Sequence, residues 1–274
     1  MRVLVTSEHD IASQTIRDVL IEEHGFRQTG QTFENHPVMG LDSSTLLVTS
    51  NRDLIMCDHL EEHFRPEVFI FCSRHRAQSG RPALLVHSTG NFGDESLFGG
   101  LPRQLSVSNA SLASAALKRL QREQEERGLT DFDVTMEVTH HGPTSMMTPL
   151  LFIELGSDEA YWRNKEGARA VAAAALECTK APIAGDAAIG FGGTHYARKF
   201  TGLVLDGSHR IGHIAPKYAL DGITADVVHQ MVERAQERVT TALIDWKGTS
   251  AEQRAKLLPM IEIFGLEIIR ARGA

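Results

Sequence analysis

With 42% hydrophobic and 23% charged side chains over 274 residues, the chain has an ordinary globular composition and room for one large α/β domain or two small ones. Its formal net charge of −7 argues against a purely basic nucleic-acid module, and no apolar run approaches the ~20 residues of a membrane span. Cys57, Cys72 and Cys178 are odd in number, widely spaced and free of any C-x-x-C pair, which argues against a disulfide framework or a cysteine zinc site and for core thiols in a reducing, cytoplasmic compartment.

Residues 1–6 read as a strand with no signal-peptide core, followed by a helix from Ile11 to Glu23 and a strand from Arg27 to Phe33. Residues 45–49 form a buried strand, and Cys57 to His63 a short helix closed before Pro66. Residues 68–72 are a strongly apolar strand running into Ser73-Arg74-His75-Arg76, and residues 83–87 another that ends in the polar loop His87-Ser88-Thr89-Gly90-Asn91. A long amphipathic helix is expected from Ser106 to Arg127, capped by Ser106 or Ser108 and stopped by Gly128. Residues 132–138 alternate as a central strand leading into His140-His141-Gly142-Pro143, and residues 150–155 form a further strand. Asp158 caps a helix reaching Thr179; beyond the Gly190–Gly193 loop come a strand at Gly202–Leu205, helices at Thr224–Arg238 and Ser250–Phe264, and a last strand at Glu267–Arg270. Strands alternating with helices imply an α/β fold, a three-layer α/β/α sandwich on a mostly parallel, mixed sheet, in one domain spanning residues 1–274.

In open α/β sheets ligands bind beyond the carboxyl ends of strands. Here His75, His87, the His140–His141 pair and His195 all follow apolar strands or a Gly-rich loop, with Glu137 and Glu154 close by. Imidazoles with one or two carboxylates and no thiolate suit catalytic Zn²⁺, which lowers the pKa of its water toward 7, while a free glutamate takes the proton. The alternatives are a solvated histidine pair, and for Glu154 a buried, paired carboxylate. Thr89, Thr144 and Thr194 lie near histidines and can position substrate or cap turns. Residues 190–193 lack both dinucleotide and P-loop spacing and mark close backbone approach to a ligand or a strand. Arg74, Arg76, Arg198 and Lys199 give the acidic chain local basic rims.

Taken together and in order, Ser7-Glu8-His9-Asp10, Ser73-Arg74-His75, His87-Ser88-Thr89-Gly90-Asn91, Thr139-His140-His141-Gly142-Pro143-Thr144, Ile153-Glu154-Leu155-Gly156-Ser157 and Gly192-Gly193-Thr194-His195-Tyr196 resemble the archaeal and plant-type D-aminoacyl-tRNA deacylases over essentially the whole chain. One departure is Arg198, where that family is expected to have proline after His-Tyr-Ala. The resemblance implies a monomeric, phosphorylase/hydrolase-like enzyme that uses one or two Zn²⁺ ions to cleave the ester joining a D-amino acid to the 3′ CCA end of tRNA. On that expectation His87, His140, His195 and Glu154 hold metal, and Glu137, His141 and Thr144 act in catalysis. Arg74, Arg76, Arg198 and Lys199 meet the tRNA, while His75, Thr89, Asn91 and Thr194 meet the aminoacyl end. A zinc peptidase or amidohydrolase, or a non-catalytic tRNA-binding protein, are the rival readings.

Overall fold

The computed structural model describes residues 1–271. An eight-stranded sheet is built from β1 (Arg2–Ser7), β2 (Arg27–Phe33), β3 (His36–Asp42), β4 (Thr45–Ser50), β5 (Val68–Arg76), β6 (Ala83–His87), β7 (Asp133–Met136) and β8 (Leu150–Ser157). Its order is β2-β3-β4-β1-β5-β8-β6-β7, so β7 lies at an edge and not at the centre the alternating pattern suggested. The second sheet, β10-β9-β11-β12, is parallel throughout and uses β9 (Ala187–Phe191), β10 (Ile211–Ala215), β11 (Val239–Ile244) and β12 (Glu267–Arg270). The α/β architecture with mixed, mostly parallel pairing therefore stands, divided between two sheets.

Helices α1 (Ile11–His24), α3 (Ala110–Glu126) and α5 (Lys165–Lys180) bury their apolar stripes against one face of the large sheet, where Leu4, Ile70, Val86 and Ile153 meet Ile16, Leu117 and Val171. Side chains alternate along each strand, so Val5, Phe71 and Phe152 face the other way and pack under Leu54, Cys57 and Leu60 of a 3-10 turn (Leu54–Met56) and α2 (Leu60–His63). Continuing that alternation, Ser73, His75 and Glu154 emerge on the Phe71–Phe152 face, with Ser73 registered opposite Glu154. Among the described residues no helix is long and apolar enough to cross a membrane.

Several elements differ from the sequence expectation. The long helix begins at Ala110, because Asn109 accepts from Leu112 N while the Ser106 hydroxyl is spent on Thr89 O. Asp158 caps only α4 (Glu159–Trp162), and Asn164 then starts α5 afresh. Residues 202–205 belong to helix α6 (Arg198–Leu205), where Phe200, Thr201 and Val204 share a buried face at helical spacing. The helix expected to reach Arg238 ends at Glu233 as α8 (Ala225–Glu233), which leaves Val239–Ile244 to form β11. Two further helices, α7 (Lys217–Leu220) and α9 (Ala251–Glu262), complete the set used below.

Candidate functional site

The site lies on the face of the large sheet, where strands arrive from opposite directions. β5 and β8 run parallel, but β6 is antiparallel to β8, so His87 at the end of β6 lies opposite Phe152 in the middle of β8. No single carboxyl-terminal edge carries all the histidines. The segment after β9 closes the site: Tyr196 bridges Glu137, and Val138 N donates to His195 O at 3.0 Å. Gly156 (φ +140°) lets Trp162 lie close, since a Cβ there would stand 2.4 Å from Trp162 Cδ1. The indole in turn donates to His75 O at 2.7 Å and fixes the backbone of that histidine.

Seven side chains converge here in three groups, each with potential donor atoms within 4.8 Å of one another: His87, His140 and His141; Glu137, His140 and His195; His75, Glu137 and Glu154. His140 and Glu137 each belong to two groups, so the cluster is continuous. Glu137 is buried, with Oε1 at 3.1 Å from His195 Nε2 and Oε2 at 3.9 Å from His140 Nε2, yet neither oxygen accepts a hydrogen bond. Glu154 is better supplied, since the Ser73 hydroxyl donates to Oε1 at 2.7 Å and His75 and His87 each stand 3.5 Å away.

Backbone carbonyls set the imidazole faces. His140 Nδ1 lies 2.8 Å from Val138 O and His141 Nδ1 2.6 Å from Gly142 O, which calls for Nδ1–H donors and leaves both Nε2 lone pairs free for the cluster. His87 makes the corresponding contact to Ser88 O at 3.1 Å, and its buried Nε2 has no hydrogen bond. His141 is held at φ +46°, a conformation uncommon for a residue with a Cβ and typical of functional loops.

Electrostatics split the histidines into two kinds. Burial, reinforced by the neighbouring imidazoles, drives His140 well below the usual histidine range and His141 down to about 3. Burial also opposes charge on His75 and His87, but Glu154 and Glu137 outweigh it and hold both above the usual value. Burial disfavours an ionised Glu154, and hydrogen bonding and charge from His75 and His87 overcome that and keep it well below the carboxylate range. Two buried carboxylates thus draw protons onto nearby imidazoles, a demand for positive charge that a cation would meet equally.

Other expected residues fall around this cluster. Arg74 and Arg76 line a cavity of about 330 Å³ together with His75, His140, His141, Glu154 and His195. Asn91 lines a second cavity of about 580 Å³ on the far side of the His140–His141 pair, with Nδ2 donating to Gly99 O and Leu101 O. Thr194, Arg198 and Lys199 line a third, of about 440 Å³, where Arg198 pairs with Asp133 and Lys199 with Asp245. The hydroxyls of Thr89 and Thr144 donate within the surrounding loops, to Pro143 O at 2.5 Å and Gln104 Oε1 at 3.2 Å. Sequence reasoning missed two phenols. Tyr196 OH lies 3.0 Å from His75 Nε2, and Tyr218 OH lies 3.2 Å from His195 Nδ1. Adjacency to His195 was a signal for Tyr196; Tyr218, on α7, offered none.

A family profile described as D-aminoacyl-tRNA deacylase matches residues 62–269. Curated proteins of that name are similar over nearly the full chain: one from Thermococcus kodakarensis is 36% identical over 98% of this chain and 100% of its own, and one from Thermococcus onnurineus is 34% identical with the same coverage. One from Methanocaldococcus jannaschii is 33% identical over 81% of this chain and 97% of its own. A crystal structure of a conserved protein of unknown function superposes with a TM-score of 0.90 at 30% identity, covering 99% of this chain and 95% of the other.

Proposed function

The chain belongs to the D-aminoacyl-tRNA deacylase family, and we propose that it hydrolyses the ester between a D-amino acid and the 3′ end of tRNA at the histidine–glutamate cluster, with Zn²⁺ bound there. The observation that carries the cation is Glu137, a buried carboxylate with two unpartnered oxygens, beside imidazoles whose Nε2 lone pairs are unengaged. Leaving such groups unpaired is costly, and the all-nitrogen-and-oxygen donor set fits zinc in a hydrolytic setting. His87, His140 and His141 would hold one ion, and His195, His75, Glu137 and Glu154 a second or a shared one. When bound, the cation supplies ionised water at neutral pH and polarises the ester carbonyl.

The chain's own groups do the rest. With Oε1 turned to His195 and Oε2 to His140, Glu137 can ligate with one oxygen and receive the water proton with the other. That proton passes to the ribose 3′ oxygen as the acyl bond breaks, giving a free D-amino acid and tRNA. Phe152, Leu54 and Ile55 wall the 330 Å³ cavity and restrict water around the reacting carbonyl. Arg74 and Arg76 line the cavity beside the cluster, and Arg198 and Lys199 line a neighbouring one, where each pairs with an aspartate that a phosphate could displace; these are the groups that would meet the tRNA backbone.

Release of D-tyrosine from D-Tyr-tRNA, with L-Tyr-tRNA alongside and before and after chelation and zinc restoration, tests the reading. D-selective turnover that chelation stops and zinc restores is expected. Turnover indifferent to chelation removes the metal, and inertness toward both esters removes the deacylase.

A further inference from the structure

Two aromatic rings stand exposed beside the catalytic cluster. Phe98 is 68% and Tyr218 64% exposed, and both line the 580 Å³ cavity together with Phe92, Pro216 and the His140–His141 pair. Phe98 also borders the 330 Å³ cavity that holds Arg74 and Arg76, so it stands where the two spaces meet.

Its backbone is firmly held. Phe98 O accepts from Gly142 N at 3.0 Å, next to His141. Gly99 follows at φ +80° and packs so closely that a Cβ would stand 2.2 Å from Ile55 O. A large apolar ring kept in water on a rigid backbone loses burial energy unless a ligand covers it.

The lining chemistry specifies that ligand. Among the described residues no Lys or Arg lines the 580 Å³ cavity; its charged groups are Asp94, which Arg103 already engages, and Glu95. Phosphate is disfavoured there, whereas a neutral planar ring with an exocyclic amino group suits two aromatic faces with the Glu95 carboxylate nearby. The smaller cavity, which holds the histidine–glutamate cluster, suits the reacting ester and its α-amino group.

We propose that the cavity between Phe98 and Tyr218 is a nucleobase subsite that stacks the 3′-terminal adenine of the substrate while the ester lies over the His140–His141 pair. The proposal rests on the deacylase reading and adds a recognition element to it: the enzyme holds its substrate through the terminal base as well as through phosphates. Tyr218 then serves twice, its ring toward the base and its hydroxyl toward His195.

The test compares 3′-O-(D-tyrosyl)adenosine with the D-tyrosyl ester of ribose, which lacks the base, alongside D-Tyr-tRNA, in the zinc-loaded wild type, Phe98→Ala and Phe98→Trp. A stacked base should give the adenosine ester a KM about tenfold lower in the wild type. That gap should close in Phe98→Ala and persist in Phe98→Trp, with unchanged circular-dichroism melts showing that both variants fold. Equal KM values for the two esters in wild type, or a gap that survives Phe98→Ala, overturn the subsite while D-Tyr-tRNA turnover keeps the deacylase. Absence of D-Tyr-tRNA turnover removes both.

Discussion

The Tyr196 hydroxyl sits 3.0 Å from His75 Nε2, while Nδ1 of the same ring faces Glu137 at 3.6 Å and Glu154 at 3.5 Å. Tyr196 is therefore a clamp outside the cluster that fixes which nitrogen of His75 points inward. Outer partners of this kind typically carry 10- to 100-fold in metal affinity or activity. Tyr196→Phe keeps the ring contact with His75 and loses the hydroxyl, so zinc affinity should fall by about that factor while the melting temperature of the metal-free protein stays close to wild type. Competition with a fluorescent chelator measures the first and calorimetry the second; unchanged affinity in the phenylalanine variant would show that the phenol does not orient His75.

Much of this arrangement was legible in the sequence, for a physical reason. Histidines at or within a few residues of strand ends advertise themselves, because an apolar run that gives way to an imidazole has few structural uses; His75, His87, His140, His141 and His195 do meet. What was not legible depends on pairing. The antiparallel β6–β8 contact decides that His87 reaches Glu154 across the sheet face, and register between distant segments leaves no local trace. The last turn of helix α6 reads as a strand because a short apolar run fits both periods, and β9, with Gly190 inside it, reads locally as a glycine loop. Phe98 and Tyr218 come from a loop and a four-residue helix, where neither period applies.

Glu137 gives a prediction with two signs. In the metal-free protein its buried, unpartnered carboxylate is a cost, so Glu137→Gln should raise the urea midpoint, by about 1 kcal/mol or more in stability. With zinc present the order should reverse. If zinc binds as proposed, wild type should gain roughly 2.7 kcal/mol at a hundredfold excess over the dissociation constant, and the glutamine variant should gain little because a proposed ligand is gone. Parallel urea titrations with EDTA and with zinc decide it; a variant less stable than wild type in EDTA contradicts the account of Glu137 as a buried carboxylate short of hydrogen-bond donors.

Arg198 is 70% exposed at its side chain and pairs with Asp133 at 3.2 Å, an exposed contact worth at most about 1 kcal/mol and easily traded for a phosphate. Arg198→Ala should raise the KM for D-Tyr-tRNA severalfold with little change in kcat. The dependence of log KM on log salt should also flatten by about 0.7 to 0.9, the increment that one neutralised phosphate contributes. A KM and salt slope identical to wild type would take Arg198 off the tRNA path.

His213 supplies the pH dependence. It is fully buried, with Nε2 at 3.1 Å from Ser106 O and 3.2 Å from Arg234 O, and Nδ1 at 3.3 Å from Thr139 Oγ1, whose hydroxyl also accepts from Ile214 N. Nε2–H donates to the carbonyls and Nδ1 accepts from the threonine, so a second proton has no place. Burial, more than any neighbouring charge, carries the ring down to about 4 from the ordinary 6.5. The unfolded chain therefore binds this proton first as pH falls. The contribution is complete above pH 6.5 and is lost toward pH 4, roughly 3 kcal/mol in all. Asp10, whose carboxyl burial pushes up to about 6, acts with the opposite sign in an overlapping window, so the comparison must be with a variant and not with theory. His213→Gln keeps a side-chain N–H donor and removes the titration. Its stability, lower at neutral pH, should fall less steeply between pH 6.5 and pH 4, with a slope smaller by up to about 1.4 kcal/mol per pH unit in the metal-free protein. Urea midpoints at half-unit pH intervals read this directly, and parallel curves for the two proteins would mean that His213 takes up its proton without unfolding the β10 edge.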